Sequence, residues 1–255
     1  MTNRILLLLL IIANTTLSLF AQETNTIHVM VALCDNQYQG IVKVPKAIGN
    51  GQDPDNNLYW GCGYGIRTYF RKGADWKLIK QYKMQGHIME RLVFKHKTQN
   101  YYLVADAYNG KNIKQCTIDF LNACAGEQTD TIHVGKETIK MQGHSSLIAY
   151  IGHNGLMDVS LPNTFKNTDG KKRDAIILAC ASKQYFAPYL KSANAYPLVW
   201  TTNLMCPEAY TLYDAIGSYI RGENNTQVQN SAAAAYSKYQ KCSLKAAKRL
   251  LATGW

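Results

Sequence analysis

Short apolar runs recur along the chain, and each ends in turn-forming or polar residues. Ile27 to Leu33 is the first and reads as a buried strand. Residues 35–57 are rich in Gly, Asn, Asp and Pro and read as a long loop. Leu58 to Phe70 has helical spacing, but Gly61, Gly63 and Gly65 weaken it. Arg91 to His96 and Tyr101 to Ala105 form two strands joined by a Lys-Thr-Gln-Asn turn. Asn109 to Cys124 sets Ile113, Cys116 or Thr117, Phe120 and Leu121 on one face of an amphipathic helix. Ser146 to Ile151 and Ala175 to Ala179 are two more apolar strands, the first running into Gly-His-Asn-Gly and the second into Cys180. A helix over Ser182–Lys191, a strand over Pro197–Thr202 and a helix over Pro207–Arg221 follow. Val228 to Leu251 is expected to form one long Ala- and Lys-rich helix.

Strands separated by helices predict an α/β fold, a three-layer sandwich with a mainly parallel sheet of about six strands. One domain is expected over residues 22–255. In such sheets ligands bind at the carboxyl ends of the strands. Two strands carry chemically able residues to that edge, His153 just after one and Cys180 at the end of the next.

Residues 1–21 stand apart. Arg4, the apolar run Ile5–Ile12 and the small residue Ala21 before Gln22 have the layout of a secretory signal, cut after Ala21. Asn14-Thr15-Thr16 interrupts the apolar stretch and leaves it shorter than the ~20 residues of a spanning helix. A secreted or periplasmic protein with no transmembrane span in its mature form is expected. None of the seven cysteines lies in a C-x-x-C pair, so structural zinc has no support, and an odd count leaves at least one thiol unpaired within the chain. The formal charge of +11 permits contact with an anionic surface. Lys238, Lys241, Lys245, Lys248 and Arg249 on the last helix read first as a solvated face and second as a contact with an acidic envelope surface. Nucleic acid is not an expected partner of an exported chain.

A thiolate is a strong nucleophile, and a neighbouring imidazole can take its proton and later protonate the leaving group. Adjacent strand ends hold such a pair rigidly. Ala179 and Ala181 leave room beside Cys180, and a helix starting just beyond it would favour the thiolate. Gly155 can present a backbone N–H to an oxyanion.

The stretches "SLIAYIGHNG" and "DAIILACAS" resemble the caspase-like cysteine peptidases, in which one apolar strand ends in His-Gly and a later one in Ala-Cys or Gly-Cys. "YYLVADAYNGKNIKQCTIDFL" is similar to the strand, loop and helix before the His strand, and "YPLVWTTN" to the strand after the Cys. The resemblance spans residues 27–221 in element order. It implies a caspase-like fold, a peptide or protein substrate and no cofactor. It also implies His153 as general acid/base, Cys180 as nucleophile and Gly155 as oxyanion donor. Asn154 stands where the family has Gly, Ala-Cys-Ala-Ser replaces Gln-Ala-Cys-x-Gly, and Cys180 follows His153 more closely than the roughly fifty positions of caspases. The chain is therefore not a caspase proper.

Two other readings stand beside this one. The fold can be kept without chemistry, as a binding protein of the cell envelope. Alternatively, Cys62 in "LYWGCGYGIRTYF", faintly similar to papain-type enzymes, is the nucleophile, with His87 or His153 as its partner. No His, Asp or Glu set has metal-ligand spacing, and Asp53 and Asp55 read as turn residues. For substrate binding, Asp35, Asn203 and Glu208 lie near expected strand ends. An acidic group there would favour Arg or Lys before the scissile bond.

Overall fold

A computed structural model describes residues 25–255, so the expected signal segment lies outside the described residues. The strand β1 (Asn25–Ala32) is buried on both faces, as its largely apolar run leads one to expect. A long irregular loop leads to α1 (Ile66–Lys72), much shorter than the helix expected from residue 58, because the glycine-rich stretch before it forms turns. Three strands follow: β2 (Trp76–Lys83), β3 (Ile88–His96) and β4 (Tyr101–Tyr108). A short 3-10 turn leads into α2 (Ile113–Ala125), and β5 (Thr129–Val134) and β6 (Glu137–Gln142) form a separate hairpin. Then come β7 (Leu147–Gly152), the single turn α3 (Gly155–Asp158), β8 (Arg173–Leu178), α4 (Ser182–Ser192) and β9 (Ala195–Thr201). The chain closes with α5 (Ala209–Ile220), α6 (Asn225–Gln240), α7 (Leu244–Leu250) and β10 (Leu251–Ala252).

The main sheet has eight strands in the order β10-β9-β8-β7-β1-β4-β3-β2. Five neighbours, from β4 across β1, β7 and β8 to β9, are parallel, whereas β3 runs antiparallel to both its neighbours and β10 antiparallel to β9. The expectation of about six mainly parallel strands is corrected to a mixed sheet of eight. The added strands lie at the edges: β2 has lysines on an exposed face, and β10 is only two residues long.

Helices cover both faces. Phe70 of α1, Leu212 and Ile216 of α5 and Val228 and Ala232 of α6 pack on one side, with Val29, Val31, Ala149 and Ile151 of the central strands. Cys116, Phe120 and Leu121 of α2 and Phe186 and Leu190 of α4 pack on the other, with Met30, Ile148, Tyr150 and Ile177. The hairpin contributes Ile139 and Met141 over Val93, Tyr102 and Val104. The long final helix is also corrected. Lys241 adopts a left-handed conformation (φ 56°) that ends α6, and Ser243 caps a new helix by accepting from the Ala246 N–H. The five basic residues expected on one face therefore belong to two helices and the turn between them. Among the described residues no helix is long and apolar enough to cross a membrane.

Candidate active site

Strands β7 and β8 are parallel neighbours, with Ile151 opposite Leu178, so the residues just beyond them emerge side by side at the carboxyl edge. Gly152 ends β7 with φ 140°, and a Cβ there would lie 2.6 Å from the Ala32 carbonyl oxygen, so only glycine fits this exit. His153 follows. Beyond β8 the chain turns sharply through Cys180 and Ala181, the latter left-handed at φ 48°, before α4 begins. That conformation costs a non-glycine residue about 1–2 kcal/mol. It is held by the Ala181 N–H donating to the Asn203 carbonyl (2.9 Å), the Ser182 N–H to Thr201 Oγ1 (3.0 Å) and Ser182 Oγ to the Ile177 carbonyl (2.9 Å). The tight turn sets Cys180 just ahead of the amino end of an eleven-residue helix, whose positive pole favours an anion.

His153 and Cys180 line one cleft of about 650 Å³, a volume suited to several substrate residues. Ile41, Val44 and Leu58 add apolar lining, and Met205, Cys206 and Glu208 also line it. The Cys180 Sγ lies 3.4 Å from the Met205 nitrogen and 3.5 Å from the Met205 oxygen.

The structure adds a third group that the sequence did not reveal. Asp158 Oδ2 lies 2.9 Å from His153 Nε2 and also accepts the Gly40 N–H at 3.1 Å. The single turn of α3 carries this carboxylate back to the ring five positions before it. With Nε2 held as the donor, the imidazole is set in the tautomer whose Nδ1 is a base, and among the described residues Nδ1 makes no hydrogen bond. Tyr150 Oη donates to the His153 carbonyl (2.7 Å) and fixes its backbone.

Asn154, which stands where the resembling family has glycine, is fully buried. Its Oδ1 accepts the Leu156 N–H and caps α3, while its Nδ2 donates to the Cys180 carbonyl at 2.7 Å. One side chain thus braces the two strand-end turns against each other.

Gly155 is placed differently from its expected role. It is buried against α2, where a Cβ would lie 2.6 Å from Thr117 Oγ1. It does not line the cleft.

Of the expected substrate-binding residues, Glu208 alone lines this cleft. Burial raises its carboxyl pKa above the ordinary value, an effect opposed by the hydroxyl of Tyr210 donating at 2.8 Å. Gln240 Nε2 donates to the same oxygen at 3.3 Å, and no cation pairs with Glu208 among the described residues. Asn203 lines a neighbouring hollow of about 690 Å³ that contains neither His153 nor Cys180. Asp35 is buried and organises the long loop by accepting the Gln37 and Tyr38 N–H groups and Gln52 Nε2.

Cys62 donates its thiol to the Asn56 carbonyl at 3.2 Å, and burial, then the charge of Glu208, raises its pKa. No histidine is among the groups acting on it. Among the described residues no cluster of His, Cys, Asp and Glu is arranged to hold a metal ion. Compared with protein families, characterised proteins and solved structures, the chain matches none of them.

Proposed function

We propose that this protein is a cysteine endopeptidase, exported and related in fold to the caspase-like peptidases. The observation that carries the reading is that His153 and Cys180 line one cleft from adjacent parallel strand ends, with Asp158 bound to Nε2 of the imidazole. In this reading His153 Nδ1 takes the Cys180 proton and the thiolate attacks the scissile carbonyl carbon. The resulting tetrahedral oxyanion is met by the Cys180 N–H at the start of the α4 turn. His153 then protonates the leaving amine, and water hydrolyses the thioester with the same imidazole as base. Asp158 touches no substrate; it is a positioning residue that holds the ring and offsets its charge. Glu208, half-buried without a cation, suits Arg or Lys before the scissile bond.

A second reading, a catalytically silent caspase-fold binding protein of the envelope, is favoured by one observation. Gly155 is buried against α2 and does not line the cleft, which removes the second oxyanion donor expected there. The test is digestion of a diverse peptide mixture under mild reductant, read by mass spectrometry, with wild type, Cys180→Ala and Cys62→Ala. Cleavage lost in Cys180→Ala and kept in Cys62→Ala is the expected result, with Lys and Arg enriched before the cut. Cleavage lost only in Cys62→Ala would move the nucleophile, and no cleavage by any form would leave the silent reading.

A further inference from the structure

All seven cysteines are free thiols. Cys34, Cys116 and Cys124 are buried, and burial raises the pKa of each. Cys206 is different: it is exposed and lines the same cleft as Cys180. The Cys180 sulfur already touches both the nitrogen and the carbonyl oxygen of Met205. The Cα of Cys206 is three bonds from that oxygen. Cys206 follows Met205 directly, so its backbone lies beside the Cys180 sulfur; a disulfide needs Cα atoms about 4.4–6.8 Å apart, and the stretch that carries Cys206 has to supply that approach. Residues 203–208 belong to no helix or strand. The backbone of Cys206 is tied by its N–H to Tyr236 Oη (3.3 Å) and by its carbonyl to the Glu208 N–H (3.0 Å). Rotating its side chain toward Cys180 therefore breaks no sheet ladder.

We propose that Cys180 and Cys206 form a reversible disulfide, a modification site at which a low-molecular-weight disulfide such as oxidised glutathione closes the cleft. The proposal rests on the reading of Cys180 as a nucleophile activated by His153. The Cys180 thiolate attacks one sulfur of the small disulfide. A mixed disulfide forms, and the expelled thiolate takes the proton held by His153. The Cys206 thiol then loses its proton to solvent, attacks the Cys180 sulfur and expels the second small thiolate, which is protonated. Two protein thiols are oxidised by two electrons, and one small disulfide is reduced to two thiols. Cys206 acts second because partial loss of water around its sulfur in the cleft, the Glu208 charge and Cys180 itself disfavour its thiolate. In an oxidising compartment the product would be inert, with the nucleophile consumed and the cleft bridged; a reductant would restore it.

The test treats the full chain with oxidised glutathione, quenches with acid, alkylates the remaining thiols and maps peptides by mass spectrometry. The expected product is a Cys180 peptide linked to a Cys206 peptide, lighter by two hydrogens and separated again by dithiothreitol. In Cys206→Ser, Cys180 should stop as the glutathione mixed disulfide, whereas Cys62→Ser should behave as wild type. A stable mixed disulfide on Cys180 of the wild type, or a Cys180–Cys62 link, would overturn the proposal. The readout uses no peptide substrate. A linked Cys180–Cys206 product in a protein that cleaves nothing would therefore count against the peptidase reading and leave the disulfide standing, whereas active protease without that link would do the reverse.

Discussion

Two histidine–aspartate pairs in this molecule share a contact of 2.9 Å and differ in everything around it. His28 on β1 meets Asp106 on β4, and both are fully buried. Arg91 on β3 adds two hydrogen bonds to the same carboxylate, at 2.7 and 2.9 Å. The other nitrogen of His28, Nδ1, is buried with no hydrogen-bond partner among the described residues. His153 and Asp158 make the same contact at the rim of an open cleft, with a thiol on the next strand. The contact itself therefore says little about catalysis. The second pair adjoins a cleft that Cys180 also lines, and full burial with a guanidinium makes the first a structural clamp across three strands.

The largest expected effect is on the clamp. Asp106→Ala leaves the buried Arg91 with only the longer 3.5 Å contact to the half-exposed Asp130 among the described residues, and breaking such a buried pair typically costs about 3–5 kcal/mol. Chemical denaturation should show that loss. Burial alone would raise the Asp106 carboxyl pKa, but His28 and Arg91 outweigh it and hold the pKa below the ordinary value. A carboxyl lowered on folding stabilises the protein above its unfolded pKa, about 3.9, and that stability is lost as pH falls through the folded value. The wild type should therefore destabilise in acid, with a flatter acid limb in Asp106→Asn. An unchanged acid limb would show that the pair carries no such linkage.

The corresponding change in the open pair should leave stability nearly alone and strike turnover. Asp158→Asn keeps the size of the side chain but cannot accept the Nε2 proton in the same way or offset the imidazolium charge. We expect kcat on a Lys- or Arg-containing peptide to fall roughly 10²-fold or more, with KM and the denaturation midpoint nearly unchanged. A matching fall in stability, with kcat preserved, would make Asp158 another structural clamp.

The two pairs were unequally legible in the sequence. His153 and Cys180 stood out because each follows an apolar run too short for a helix, and β7 and β8 are indeed buried and adjacent. Asp158 did not, because it reaches His153 through a four-residue turn that leaves no periodic signal. The His28–Asp106–Arg91 clamp was hidden for another reason: its members sit inside strands and meet only through the pairing of β1, β4 and β3. Edge elements were missed where burial is partial, as in β2, with its exposed lysines, and the β5–β6 hairpin. The split of the last helix rests on one left-handed lysine, Lys241, that no composition rule marks. Asn154 looked like a departure from a family pattern, and its role as a brace to the Cys180 carbonyl emerged only once both strand ends were side by side.

The smallest expected effect sharpens the contrast between carboxylates. Asp106 is surrounded by partners that favour its charge, whereas Glu208 is half-buried in the cleft with, among the described residues, Tyr210 and Gln240 donating to it. Burial raises its pKa. A carboxyl raised on folding costs stability as pH climbs from its unfolded value, about 4.3, through the folded one. At neutral pH, Glu208→Gln removes that cost, and because the group is partly solvated the gain should be only a few tenths of a kcal/mol. The same change removes the charge that would meet a lysine or arginine side chain. The preference for a basic over a neutral residue before the cut should fall roughly tenfold, about 1.4 kcal/mol in transition-state binding. Thermal unfolding and competitive digestion of paired peptides measure the two effects on one variant. A more stable protein with weaker basic preference would mark Glu208 as a carboxylate kept short of partners for its ligand. A less stable one with unchanged preference would place Glu208 with Asp106, among the groups that hold the fold.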